Sequence, residues 1–338
     1  MTHKKFMKSA LLGVTALFML STAQAAKTLK MSTIAPGTSA YLTMTTMATM
    51  INQAQDELKI QVDATGAATK HMIDLASDKI DICMSSPVVY SLMKGQKAMY
   101  KKMDNAPELS KKLNLLFWFP YGQYHFVTYA DSGIKTLKDI KGKKVFLGPP
   151  GGGAWNAARG WVEATTGYKP NEDFDNVKGS WSSALQGFQD RQFDVFVNGG
   201  VAPFPQVEQL ALTSKLHLLG LSKAEFDASE AAQKTTSKPG RELGIIQAGI
   251  YGDGVDNSSD VYTLGSVVGV SVNTSMDIDT AYKLTKLFWE GAAKNSDTQP
   301  WLKNFNMEYA VQNGGMKLHP GALKYYKEQG VNVPAASL

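Results

Sequence analysis

The chain has 338 residues, 43% of them hydrophobic, and a formal net charge of +5, which falls to +2 once Lys4, Lys5 and Lys8 of the first segment are set aside. That balance lacks the basic excess of nucleic-acid-binding proteins. A single cysteine, Cys83, excludes an internal disulfide, and the length is sufficient for two hydrophobic cores.

Residues 1–25 have the three parts of a secretory signal. A basic start precedes an apolar run from Ala10 to Leu20, and Ala23-Gln24-Ala25 has the small-x-small pattern of a cleavage site. The run is shorter than the roughly 18 residues that a membrane-spanning helix needs. We therefore expect an exported, periplasmic mature protein that begins at Ala26 and is not embedded in the membrane.

The first part of the mature chain alternates strands with helices. Apolar alternation predicts strands at 29–34, 59–64 and 80–84. The helices between and after them include one whose Met44, Met47, Met50 and Ile51 share a core-facing side, one over 70–76, and one from Pro87 to Gly95 with Ser86 as N-cap. This order predicts a mostly parallel sheet.

Two apolar strands, 113–119 and 123–130, come after a polar insert, and we place the crossing into a second lobe at Pro120–Gly122 between them. Capping boxes begin at Thr136 and Ser222. The further predicted elements are a helix over 181–190, strands at 193–197 and 216–221, a loop-rich segment over 234–260, a strand at 267–272, and helices over 279–293 and 320–329.

The most informative unit is a strand, a glycine-rich loop and a helix between Lys143 and Gly167. Such a unit makes an anion site, because the first helical amides lack internal partners and glycines let a ligand approach the backbone. The loop meets neither the P-loop pattern nor the dinucleotide pattern GxGxxG. The alternative is a tight connection that binds nothing.

Catalytic motifs are missing from the sequence. The mature histidines, His71, His125, His217 and His319, lie at no metal-ligand spacing from another His or Cys, and we expect no cofactor and no metal. An exported enzyme with His71 or His125 as general base stays open, as does an ABC-type or sensory binding component.

Five segments, in this order and over nearly all of the mature chain, resemble the TAXI group of solute-binding proteins of tripartite ATP-independent periplasmic (TRAP) transporters. The segments are APGTSAY (35–41), ATGAATKHMIDLASDKIDICMSSPVVYSLMKG (64–95), DIKGKKVFLGPPGGGAW (139–155), FDVFVNGGVAPFPQVEQLA (193–211) and HPGALKYYKEQG (319–330). The resemblance implies an α/β fold with two lobes and an interlobe cleft that holds a small carboxylate such as glutamate or 2-oxoglutarate. It implies delivery to a sodium-coupled TRAP membrane permease, without catalysis.

The two lobes are expected to comprise 26–120 with 273–338, and 121–272. In open α/β sheets ligands bind beyond the carboxyl ends of the strands, where the loops of this chain carry small polar residues. The expected hydrogen-bonding residues are Ser39, Tyr41, Thr69, Ser85, Ser86 and Asn198. Ser39, Thr69 and Ser86 have the alternative role of helix caps.

Two departures from the TAXI pattern affect the expected site. His71, a candidate ligand contact with a structural role as the alternative, stands where the family has an Asn-like residue. Gly151-Gly152-Gly153-Ala154-Trp155 replaces a Gly-Ser-Gly-Thr segment. We therefore expect backbone amides from Gly152 to Trp155 to bind the anion, with Trp155 or Trp181 as a wall. Arg159 is expected to pair with Glu163.

Overall fold

A computed structural model describes residues 26–338 of the protein; the predicted export signal lies outside these residues. They form ten strands: β1 (Lys27–Ser32), β2 (Leu58–Asp63), β3 (Ile82–Ser85), β4 (Leu113–Tyr129), β5 (Lys144–Phe146), β6 (Asp175–Asn176), β7 (Val195–Gly200), β8 (Leu216–Leu219), β9 (Arg241–Ile246) and β10 (Val261–Asn273).

The same residues form twelve α-helices: α1 (Ser39–Ala54), α2 (Ala68–Ala76), α3 (Pro87–Lys94), α4 (Ala106–Ser110), α5 (Gly153–Thr166), α6 (Trp181–Gln189), α7 (Pro205–Ala211), α8 (Lys223–Asp227), α9 (Glu230–Thr236), α10 (Ile278–Asn295), α11 (Met307–Ala310) and α12 (Pro320–Glu328). Among these helices, none is both long enough and apolar enough to cross a membrane.

All ten strands belong to one sheet. Its path is β2-β1-β3-β10-β4-β7-β5-β6, while β8 pairs with β4 and β9 with β10. β1 is parallel to β2 and β3, and β5 is parallel to β6 and β7. β4 and β10 are antiparallel to all their neighbours. The predicted α/β class is confirmed, with parallel strands in both outer parts of the sheet and antiparallel strands at its centre.

The two long central strands change partners at the same level of the sheet. β4 pairs with β10 up to Pro120 and with β7 from Gln123 onwards. β10 pairs with β9 up to Ser266 and with β4 from Val267 onwards. Gly122 lies in this transition with φ +105°, and a Cβ there would lie 2.1 Å from the carbonyl carbon of Gly200. Two continuous strands therefore connect the outer parts of the sheet.

The predicted break at Pro120 is wrong, because β4 runs unbroken through it. Pro120 faces Val267 of β10, while pairing with β7 on the other side begins only at Gln123. A proline is tolerated where one side of a strand has no neighbour that needs its N–H.

The segment 234–260, predicted to be loop-rich, contains the end of α9 and the whole of β9. β9 is an edge strand that exposes more than a third of Leu243 and of Ile245, so its sequence lacks a clear apolar alternation. β10 begins at Val261, six residues before the predicted strand.

The predicted core positions are confirmed. Met44, Met47 and Ile51 of α1 are fully buried. The helix after the glycine-rich loop buries its predicted face and ends at Gly167 with φ +79°. Cys83 is fully buried, and burial raises the pKa of its thiol.

Candidate functional site

A small cavity lies where helices from both outer parts of the sheet meet β4 and β10. Its volume is about 60 Å³, enough for roughly four to six water molecules. The lining residues are Ile34, Gly66, Ala67, Ala68, Met84, Ser86, Val88, Val89, Tyr121, Tyr124, Pro149, Gly152, Gly153, Ala154, Trp181, Ser266 and Val268. Within the described part of the chain, no charged side chain lines this cavity.

Three helix N-termini converge on the cavity. Ala67 and Ala68 belong to the start of α2, Ser86 precedes α3, and Gly152 and Gly153 belong to the start of α5. None of these three helices has a side-chain cap bond or an acidic residue in its first turn. Each helix start carries a partial positive charge of about half an elementary charge. The cavity is therefore electropositive because of the backbone.

The start of α5 presents free amides. Within residues 26–338 the amides of Gly153, Ala154 and Trp155 have no hydrogen-bond acceptor, whereas the Gly152 amide donates to the Pro149 carbonyl at 3.1 Å. Of the four backbone amides expected to bind the anion, Gly152 to Trp155, three are therefore free to donate a hydrogen bond. Gly152 still lines the cavity through its main chain.

Helices α3 and α5 touch at their N-termini. A Cβ at Gly153 would lie 2.9 Å from Val89 Cγ2 and 3.5 Å from Ser86 Oγ. Ser86 occupies the N-cap position, as predicted, but its hydroxyl makes no cap bond. Its side chain is therefore available to a ligand beside the α5 amides.

Trp181 forms one wall, where a tryptophan was expected. Its indole is 8% exposed and packs edge-on against Phe146, with ring centroids 5.6 Å apart. Gly148, with φ +116°, allows the loop to pass close, since a Cβ there would lie 3.4 Å from Trp181 Cη2 and 3.2 Å from the Trp155 amide. A ligand-binding role for Trp181 stays a prediction.

The floor comes from residues that sequence reasoning missed: Tyr121, Tyr124 and Ser266. Burial raises the pKa of Tyr121 well above its usual value, and burial, partly offset by Ser266 and Arg241, raises the pKa of Tyr124 to about 12. Both phenols are therefore neutral at physiological pH. Their only sequence signal is a Tyr-Gly-Gln-Tyr segment at the predicted lobe crossing.

Ser85 and Asn198 are buried and do not line the cavity. The Ser85 hydroxyl bonds to the Ser271 hydroxyl at 2.6 Å. Asn198 Oδ1 accepts from the Tyr121 hydroxyl at 3.2 Å, and its amide donates to Gln206 at 2.7 Å. Direct ligand contact by either residue stays a prediction, although these internal partners already engage polar atoms of both side chains. Asn198 positions a floor tyrosine.

Gly151 and the indole of Trp155 also lie outside the cavity lining. Gly151 forms a turn with φ +75° and faces Met99. The Trp155 indole donates to Asn176 Oδ1 at 3.2 Å and stacks beneath the Arg159 guanidinium, 5.3 Å from the ring centroid. A wall role for the Trp155 indole stays a prediction; in this structure Trp181 lines the cavity instead, and the Trp155 amide belongs to the α5 start. The predicted Arg159–Glu163 pair is present at 2.7 Å.

Ser39 and Tyr41 line a different groove of about 750 Å³. Thr38, not Ser39, caps α1, since its hydroxyl accepts from the Tyr41 amide at 3.1 Å. Thr69 lies in the first turn of α2, and its carbonyl accepts from the Tyr100 hydroxyl at 2.8 Å. The structure does not bring these predicted residues to the cavity lining.

Neither candidate general base lines the cavity. His71 Nε2 lies 2.6 Å from the Thr65 carbonyl, so it donates there and supports the loop that carries Gly66. Burial lowers the pKa of His71, and its Nδ1 is buried without a partner in the described chain. His125 is fully buried and accepts from the Tyr251 hydroxyl at 2.7 Å. Residues 26–338 contain no group of three or more His, Cys, Asp or Glu placed to hold a metal.

Helix N-termini from both outer parts of the α/β sheet meet over the strands that connect those parts, in the kind of crevice where open α/β sheets bind ligands. The chain belongs to the NMT1-like family, whose sequence profile matches residues 31–330.

Solved structures with a similar fold are distant. One is the alkanesulfonate-binding protein SsuA from Xanthomonas axonopodis pv. citri bound to MOPS, with 14% identity, a TM-score of 0.49, and coverage of 93% of this chain and 83% of that one. Another is a TRAP periplasmic solute binding protein from Ralstonia eutropha H16 with bound (S)-2-acetolactate, with 12% identity, a TM-score of 0.46, and coverage of 91% and 86%. A third, from Shewanella oneidensis with bound succinate, has 12% identity, a TM-score of 0.47, and coverage of 90% and 92%. These likenesses assign no ligand to this chain.

Proposed function

We propose that this chain is the periplasmic solute receptor of a TRAP transporter of the TAXI type and binds a small carboxylate, such as glutamate or 2-oxoglutarate. The observation that carries the proposal is the convergence of three uncapped helix N-termini on a cavity whose described lining has no charged side chain. Free helical amides donate to carboxylates, and the helix dipole favours negative charge.

The cavity offers separate environments for the parts of such a ligand. The free amides of α5 and the Ser86 hydroxyl take one carboxylate. The start of α2 faces the same space, and the Ala68 amide has no acceptor within the described chain, which supplies a place for a second acidic group. Ile34, Met84 and Val268 provide apolar surface for the carbon chain. A ligand with two carboxylates and a short apolar segment fits this arrangement.

Binding is coupled to closure of two lobes, predicted as 26–120 with 273–338 and 121–272. Because β10 changes partners between Ser266 and Val267, the proposed hinge assigns 267–272 to the first lobe. The partner exchange of β4 and β10 at one level gives a hinge made of two strands. The contact of Gly153 with Val89 joins the two proposed lobes. The closed form is then the one that a sodium-coupled membrane permease recognises, after export directed by residues 1–25.

Calorimetric titration of the mature protein with glutamate and 2-oxoglutarate, against the neutral analogue glutamine, tests the anion site. We expect the acids to bind and to stabilise the fold by about 2.7 kcal/mol at a hundredfold excess over Kd. Equal binding of glutamine, which keeps its α-carboxylate, would refute the place for a second acidic group at α2, and failure of both acids to bind would refute recognition by helix N-termini.

Small-angle scattering tests the closure, since saturating ligand is expected to reduce the radius of gyration. NMR of the ligand over hours separates a receptor from an enzyme: the ligand should be recovered unchanged. Dimensions that do not respond to a bound ligand would contradict the hinge, and ligand consumption would favour catalysis.

A further inference from the structure

A second groove lies on α5 and α9, outside the lining of the proposed ligand cavity. Its volume is about 420 Å³. Its charged lining residues are Arg159, Glu163, Lys234, Lys238 and Arg241. Four of these side chains are cationic and one is acidic, so the groove has a strong excess of positive charge.

Three of the four cations of this groove lack counter-charges in the described part of the chain. Glu163 is already paired with Arg159 at 2.7 Å. Within the described part of the chain, Lys234, Lys238 and Arg241 have no acidic partner within 4.0 Å and no hydrogen bond from their charged ends. The Nε of Arg159 is buried without a partner in the same part.

The packing holds these like charges close to one another. A Cβ at Gly160 would lie 3.3 Å from Arg241 Nη1, so the guanidinium rests on the backbone of α5. Burial and the neighbouring charges of Arg241 and Lys234 lower the pKa of Lys238, and burial and Arg159 lower the pKa of Arg241. A bound anion would relieve this repulsion.

Balancing the dipole of α9 accounts for only part of this arrangement. Lysines near a helix C-terminus stabilise the helix dipole, which explains Lys234 and Lys238. It does not explain Arg241 on β9 or Arg159 on α5, both of which are partly buried in the same groove.

We propose that this groove is a second anion site, which binds a small free oxyanion of at least two negative charges, of the phosphate class. The planar guanidinium of Arg241 donates two parallel hydrogen bonds to such a group, and Lys234 and Lys238 neutralise the remaining charge. The proposal is independent of the ligand in the cavity, because the groove and the cavity share no lining residue.

Titration of the mature protein with inorganic phosphate in Tris buffer at fixed ionic strength, followed by amide NMR shifts, tests this site. We expect saturable shifts that centre on residues 156–164 and 231–241. The double variant Lys234→Gln/Lys238→Gln should weaken binding about tenfold or more, because two charge-assisted contacts are lost. The matched variant Lys59→Gln/Lys317→Gln, which removes two exposed lysines elsewhere, should stay within about twofold of the wild type.

Four results would overturn the proposal. One is an absence of saturable phosphate binding, and another is equal affinity in the two double variants. The third is lysine-dependent sedimentation with phosphatidylglycerol vesicles without binding of free phosphate, which would assign the groove to lipid headgroups. The Ser86→Ala variant should bind phosphate like the wild type, and shifts confined to residues 148–155 would place the ion in the cavity instead.

Discussion

Replacing Gly153 by alanine tests whether the contact between α3 and α5 closes the cavity. The new Cβ would lie 2.9 Å from Val89 Cγ2, whereas carbon atoms in contact are normally about 3.5–4.0 Å apart. The helices must separate by about 0.6–1.1 Å or repack, and overpacking of this kind costs about 1–3 kcal/mol. If only the closed form has the contact, ligand binding weakens by about 5- to 150-fold.

Calorimetry with the best-binding acid measures this effect, and Gly160→Ala is the matched control in the same helix. The three atoms nearest to a Cβ at Gly160 all belong to the Arg241 guanidinium, the closest of them 3.3 Å away, so the new methyl group meets a side-chain end and no backbone of a neighbouring helix. The control should bind ligand like the wild type and gain up to about 1 kcal/mol in unfolding free energy from helix propensity.

Urea unfolding of the ligand-free variants completes the test. Gly153→Ala should leave the ligand-free protein as stable as the wild type or slightly more stable, because the open form lacks the clash. If the variant instead loses as much ligand-free stability as binding energy, the contact exists without ligand and closure does not create it. Unchanged affinity would equally refute the reasoning.

Three further predictions follow from the same geometry. Ser86→Ala should weaken ligand binding by about 0.5–1.5 kcal/mol with little change in unfolding free energy. The control Ser180→Ala removes the cap of α6, so it should lose about 1 kcal/mol of stability and bind the ligand normally. The reverse pattern would contradict the claim that the Ser86 hydroxyl is free to bind the ligand. Trp181→Leu should weaken binding more than tenfold while the far-ultraviolet circular dichroism is unchanged, and wild-type affinity would show that the indole is only core. Burial lowers the pKa of His125 from 6.5 to about 4. The stabilisation by the neutral imidazole is therefore complete above pH 6.5, and about 3 kcal/mol of unfolding free energy is lost as the pH falls towards 4. The difference in unfolding free energy between pH 7 and pH 4.5, measured with urea, should be smaller for His125→Gln than for the wild type, and an equal difference would contradict the assignment.

The sequence predicts local structure well where one face of an element is buried. The apolar stripes of α1 and α5 and the capping boxes at Thr136 and Ser222 all lie where their patterns place them. The predicted strand break at Pro120 was wrong, because whether a strand continues through a proline depends on which side of β4 lacks a neighbouring strand. That fact depends on pairing between distant segments and is absent from local periodicity.

In the candidate site, too, some features follow from local sequence motifs and others depend on pairing between distant segments. The helix start at Gly153 and the position of Ser86 follow from local motifs. Ser85 looked equally available, but its hydroxyl bonds to Ser271, 186 positions along the chain. Tyr121 and Ser266 reach the cavity because β4 and β10 cross between the parts of the sheet at their positions, which no short motif encodes.

The continuity of β4 and β10 has a consequence for fragments of this protein. The chain passes between the two parts of the sheet through strands whose residues are almost all buried, so a protease finds no exposed linker at the crossing. A gene divided at Pro120 or Ser266 would encode fragments in which β4 or β10 lacks part of its hydrogen-bonding partners and exposes apolar side chains. Because both parts share these two strands, we expect them to unfold as one cooperative unit.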